Sequence, residues 1–186
     1  LALSSPVSLD SVYIDSTCVE AHIHFPVDWV LLRDAVRTLM KATIMIRNQG
    51  LKHRMISPLE FMKQMNQLCI AMTHTRRKKD AKRHRKAILR KMKKLCRKIA
   101  DHARRHMQLI IDHWRETSWS EYRAFEVVAR IERILEQLPQ AMYQAHERII
   151  GERKMSNREK ILSLYERDIH VTVRGKASGE TEFGNT

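Results

Sequence analysis

Between Pro58 and Glu116 the chain holds no glycine and no second proline. Such a stretch has little choice but helix: no residue offers a left-handed stop, and none lacks the N–H that a helical turn needs. Ser57-Pro58-Leu59-Glu60 reads as its start, with Ser57 as cap, Pro58 in the first turn and Glu60 closing a capping box. One very long helix, or two with a bend near Thr73–Thr75, is expected. Inside it Ile88, Met92, Leu95, Ile99, Ala103, His106 and Ile110 recur at three- and four-residue steps, close to a heptad seam. A second seam, Val128, Ile131, Leu135, Leu138, Met142, Ala145 and Ile149, falls in a helix expected over about 120–150, kinked at Pro139. The two seams are expected to face each other in an antiparallel hairpin. A helix over about 29–48, capped by Asp28 and stopped by Gly50, and a short one over 157–167 complete the helical expectation.

The same central stretch carries the charge. Sixteen of the 35 Lys and Arg lie between His74 and His106, with only Asp80 and Asp101 against them, whereas the rest of the chain is balanced. The net +14 is therefore local, and a basic stripe on a neutral scaffold implies a polyanionic partner, most simply DNA or RNA. Arg76, Arg77, Lys78, Lys79, Lys82, Arg83, Arg85, Lys86, Arg90, Lys91 and Lys94 are the candidate DNA contacts, and the stripe continues through Lys93, Arg97, Lys98, Arg104 and Arg105. Six to ten phosphate contacts would make affinity fall by roughly 10³ to 10⁵ between 50 and 200 mM salt. Aromatic and amide side chains are sparse along the stripe, which favours backbone contact over base reading. A merely solvated face is disfavoured because like charges at i,i+4 oppose the helix that carries them. An anionic membrane surface or a calmodulin-like partner is the competing ligand class.

With 43% apolar and 30% charged residues, only 5 Gly and 4 Pro, the composition suits a mostly helical globular protein. No apolar run is long enough to span a membrane, and the start lacks a secretory pattern. Cys18, Cys69 and Cys96 are odd in number and widely spaced, as expected of reduced thiols in a cytoplasmic protein. The chain begins at Leu1 and reads as a fragment.

Both ends look β-rich. Val12 and Ile14, then Val19, Ala21, Ile23 and Phe25, alternate with polar residues; the phase slips near Ser16-Thr17, where a turn or bulge is expected. Ile169–Lys176 and Glu182-Phe183-Gly184 read as later strands. Asp15 stands on the first strand, where a carboxylate can hold a hard cation such as Mg²⁺. Cys18, Glu20, His22 and His24 share one strand face and read as a polar surface rather than a metal set.

The string Tyr13-Ile14-Asp15-Ser16-Thr17-Cys18-Val19-Glu20, with Ile23-His24-Phe25-Pro26-Val27-Asp28 and Asp34-Ala35-Val36-Arg37-Thr38-Leu39, resembles bacterial insertion-sequence transposases with a DDE catalytic centre. Arg174-Gly175-Lys176 with Glu182-Phe183-Gly184 resembles that family's later "R-G-K…E-F-G" segment. Val27, Trp29 and Val30 depart from the family's usual small polar residues.

The resemblance implies an α+β fragment: a partial ribonuclease H-like sheet, with strands near 9–16, 18–25, 169–175 and 180–184, interrupted by a long helical insertion. Residues 1–50 would hold the first core elements, 51–167 the insertion with its basic stripe, and 168–186 the returning strands. Asp15 would be the first catalytic acid and an Mg²⁺ ligand, with the other two acids beyond the chain. Arg174 and Lys176 would hold DNA near the site. The intact enzyme would cut and join DNA at element ends in the bacterial cytoplasm, at the nucleoid. This chain alone would bind element-end and target DNA without a complete active site, and self-associate through the hairpin. The alternative is a non-enzymatic, basic coiled-coil nucleic-acid-binding module.

Overall fold

The computed structural model describes residues 19–20, 28–75, 80–153, 155–156, 159–165, 170–173 and 181–185. Four helices dominate: α1 (Asp28–Asn48), α2 (Pro58–His74), α3 (Ala81–His113) and α4 (Glu121–His146). A 3₁₀ turn (Trp114–Glu116) links α3 to α4, and a π turn (Glu147–Gly151) ends α4. Three short strands, β1 (Val19–Glu20), β2 (His170–Val173) and β3 (Thr181–Asn185), pair antiparallel in the order β1-β3-β2. Val19 lies opposite Asn185 and His170 opposite Gly184.

The α+β, ribonuclease H-like expectation is overturned. Helix makes up most of the described residues. Among the described residues the strands contact one another and no helix, so no sheet forms a layer against which helices could bury their apolar faces. The core is helical instead. α1 touches α2, α3 and α4, and its only exposed residues are Arg37, Lys41 and Asn48. Leu32, Ala35, Leu39, Met40 and Ile46 are fully buried, and each of the larger ones contributes roughly 1.5–3 kcal/mol of transfer free energy. No face of α1 is left for a sheet.

α2 and α4 do not touch; they lie on opposite sides of the contacting pair α1 and α3. Trp29 near the start of α1 meets Arg85 near the start of α3, whereas Asp28 meets Gln144 near the end of α4 and Cys69 meets the Trp29 carbonyl. α1 and α3 therefore run parallel, and α2 and α4 run against them. The antiparallel α3–α4 pairing is present, but as one side of a four-helix bundle.

The expected heptad seam on α3 is shifted. Leu89, Met92, Cys96, Ile99, Ala103, His106 and Ile110 are buried, while Ile88 and Leu95 are only half-buried. Three neighbouring helices rather than one widen the buried arc and centre it on α1. The single long helix divides between His74 and Ala81, at the bend expected from the sequence. Ser57 makes no side-chain cap; its carbonyl accepts the Glu60 N–H at 3.0 Å. Pro139 sits inside α4, which continues to His146.

Asp28 is not a solvent-facing cap. It is 2% exposed and accepts a hydrogen bond from Gln144 Nε2 at 2.8 Å. The same Gln144 amide takes both backbone groups of Ile161, its Oε1 accepting the N–H at 2.9 Å and its Nε2 donating to the carbonyl at 3.2 Å. That clamp replaces the short helix expected over 157–167: residues 160–165 are irregular, with Leu162, Ser163 and Leu164 buried.

Candidate nucleic-acid interface

On α3 the cations and the core occupy opposite faces. Arg83, Arg90, Lys94 and Arg97 follow each other at steps of seven, four and three, which keeps them on one stripe about 21 Å long. All four are exposed, as is Lys91 beside them. None of these five has a hydrogen-bond or acidic partner among the described residues.

The cations on the shoulder toward α4 differ. Lys82 and Lys86 both grip Glu152, at 2.6 and 2.9 Å, and their hydrogen bonds hold that carboxyl below its usual range. Lys93 meets His146 Nδ1 at 3.4 Å; burial, and next the charge of Arg97, push its amine down. Arg104 pairs with Asp101 at 3.0 Å. Away from that shoulder, Arg85 lies over the Trp29 ring of α1, 5.4 Å from its centre, and Lys98 lies over Phe61 of α2 at 5.3 Å. The unneutralised charge therefore sits on the outer stripe and on the shoulder toward α2.

Of the expected DNA contacts, Arg83, Arg90, Lys91 and Lys94 stand free on this surface, Lys82 and Lys86 are tied to Glu152, and Arg85 is stacked. Arg76, Arg77, Lys78, Lys79, Arg174, Lys176 and the candidate metal ligand Asp15 lie outside the described residues. Among the described residues no group of three or more His, Cys, Asp or Glu side chains is placed to hold a metal ion. Likewise, no described helix is long and apolar enough to cross a membrane.

A second row of cations escaped the sequence reading. Arg33, Arg37 and Lys41 recur every four residues along the one strip that α1 leaves open. They border a groove of about 580 Å³ between α1 and α2, with Met62, Asn66 and Ile70 on the far wall. A matching groove of about 430 Å³ between α2 and α3 is bordered by Lys91, Lys94 and Lys98, facing Gln64 and Gln67. The four-residue spacing was visible in the chain; that α2 lies between the two rows was not.

At the far end of the α2–α3 side three imidazoles cluster. His53 lies 6.2 Å from His102 and 6.1 Å from His106, ring centre to ring centre. His106 is wholly buried: its Nδ1–H donates to the His102 carbonyl at 2.8 Å and its Nε2 accepts the His53 N–H at 3.4 Å. Arg47 also reaches His106 Nε2 at 3.5 Å, and Arg105 reaches His53 Nε2 at 2.7 Å. Burial pushes both His106 and His102 down from the ordinary 6.5; neighbouring cations add to it, Arg47 for His106, Lys98 and Arg105 for His102. Cys69 and Cys96 are buried free thiols, pushed up by burial to about 11 and about 12, and stay protonated at neutral pH.

No family model, no curated protein and no solved structure matches this chain.

Proposed function

We propose that the chain is a nucleic-acid-binding module whose α3 holds the phosphate backbone of DNA. One observation carries this reading: Arg83, Arg90, Lys91, Lys94 and Arg97 crowd one exposed helix face, and among the described residues no acid pairs with them. Like charges so placed oppose their own helix, and a polyanion removes that cost. The nearby Glu152 neutralises only the shoulder toward α4, so the bundle leaves the outer stripe to an external partner.

A titration of labelled duplex DNA by anisotropy tests it. Five phosphate contacts should weaken binding roughly 500-fold between 50 and 200 mM salt. Replacing Arg90, Lys94 and Arg97 together by Glu should abolish that binding while leaving the helical circular-dichroism signal in place. Binding that ignores salt, or survives the triple change, would defeat the reading.

The resemblance to insertion-sequence transposases adds a setting: DNA cutting and joining at element ends, at the bacterial nucleoid, with Asp15 as an Mg²⁺ ligand. That setting is supported by the strings over 13–39 and 174–184 in the sequence. Its test is an Asp15→Asn change in a transposition assay, where undiminished element movement would reject it.

A further inference from the structure

We propose that α2 is a ridge that enters the major groove of duplex DNA and reads bases there, while cations of α1 and α3 hold the two strands on either side. The inference rests on the backbone-binding reading above and extends it to a second helix. α2 straddles α1 and α3, and among the described residues no fourth helix lies over it. Pro58, Phe61, Met65, Cys69 and Met72 point inward. Its opposite face, Lys63, Asn66, Gln67 and Ile70, is exposed.

The charge pattern across this surface fits one kind of partner. α2 carries one acid, Glu60, and one base, Lys63, so the ridge is neutral before His74 is counted. Arg37 and Lys41 run along one flank, extended by Arg33, which also pairs with its neighbour Asp34 at 3.1 Å, and Lys91, Lys94 and Lys98 run along the other. A neutral strip between two cationic rows is the complement of a DNA groove, where uncharged base edges lie between two lines of phosphate. The B-DNA major groove, ~12 Å wide, admits one helix. Contacting helices such as α1 and α3 have axes roughly 8–10 Å apart, and their long side chains splay outward beyond that. Cationic side chains splayed from two such axes can reach toward the phosphate lines on either side of that groove.

The ridge also carries the right side chains to discriminate. Asn and Gln amides pair with adenine N6 and N7, and apolar side chains meet the thymine methyl. Asn66 and Gln67 are exposed on the ridge, Gln64 flanks them, and Ile70 beside them is 58% exposed. The preferred site is accordingly a duplex with A·T pairs at its centre.

The test uses the whole chain and three labelled probes: a duplex of about 20 base pairs with an A·T centre, a G·C-only duplex, and the single A·T strand. The unaltered chain should favour the A·T duplex over the G·C duplex roughly tenfold. Asn66→Ala with Gln67→Ala should erase that preference and leave the salt dependence unchanged. Arg37→Ala with Lys41→Ala should weaken both duplexes and lower the slope of log affinity against log salt by about 2. Arg133→Ala, on the exposed face of α4, should change neither. If the chain binds no duplex in a salt-dependent way, the backbone-binding reading falls, and this one with it. If α3 variants alone set the slope and the α1 and α2 variants behave like the unaltered chain, only the major-groove inference falls. Tighter binding to the single strand than to its duplex would also overturn it.

Discussion

Gln144 concentrates more consequence in one side chain than any other polar residue of the bundle. It joins α4 to Asp28 of α1 and to both backbone groups of Ile161. Gln144→Leu fills the space but strands both backbone groups of Ile161 and leaves Asp28 to Arg148 at 3.4 Å; we expect a loss of about 1–3 kcal/mol in urea unfolding. Gln144→Glu should cost more at pH 7 than at pH 4, because it sets a second carboxylate against Asp28. The histidine cluster supplies a pH dependence of defined sign. His106 and His102 hold a proton less readily in the fold than in the unfolded chain, so the unfolded chain binds more protons as pH drops below 6.5. Their contribution is fully present above that value and is lost as pH falls from it toward the lowered folded-state pKa values. A melting temperature that declines from pH 7.5 to 5, with a shallower decline in His106→Leu, is the expected result; a flat profile in the unaltered chain would contradict it. The sequence marked His106 only as a seam position. Its partners, Arg47 and His53, lie more than fifty residues earlier and could not be seen from it.

At the scale of one element, α3 sets stability against binding. Arg90 stands four residues after Lys86 and four before Lys94. Arg90→Glu should therefore relieve repulsion and stabilise the bundle by about 0.5 kcal/mol, while DNA affinity falls. Thermal melts and anisotropy on the same variant check both halves; a variant that weakens both would show that Arg90 does more than repel its neighbours. The face of α3 was legible because its period is written in the chain: apolar residues and cations alternate at helical spacing. The seam was misplaced by one position, at Leu89 and Cys96 rather than Ile88 and Leu95, because a two-helix hairpin buries a narrower arc than a helix packed on three sides. Asp28, expected as a cap, and Ser57, expected to form a capping box, show how a local signal yields to a buried partner or to none.

For the whole molecule the decisive contact set is α1 with α2, α3 and α4. α1 does not support a sheet, and the strands pair among themselves. Residues 28–165 should consequently retain the helical signal and melt cooperatively within a few degrees of the full chain. A truncated chain that is unfolded by circular dichroism would show that the ends contribute to the core. Substituting Ile99, fully buried on α3, by Ala should cost about 2–5 kcal/mol and lower the midpoint of the entire transition rather than split it.

The positions of the four main helices, the bend near Thr73–Thr75 and the basic face of α3 follow from local rules, because periodicity, missing glycines and charge density act between residues a few positions apart. The sequence alone determined those. Only the tertiary structure decided that α1 lies inside the bundle, that Gln144 clamps Ile161, and that α2 runs between two rows of cations. Each of these joins residues far apart in the chain, and burial of a shared apolar surface, not any local pattern, selects which distant faces meet.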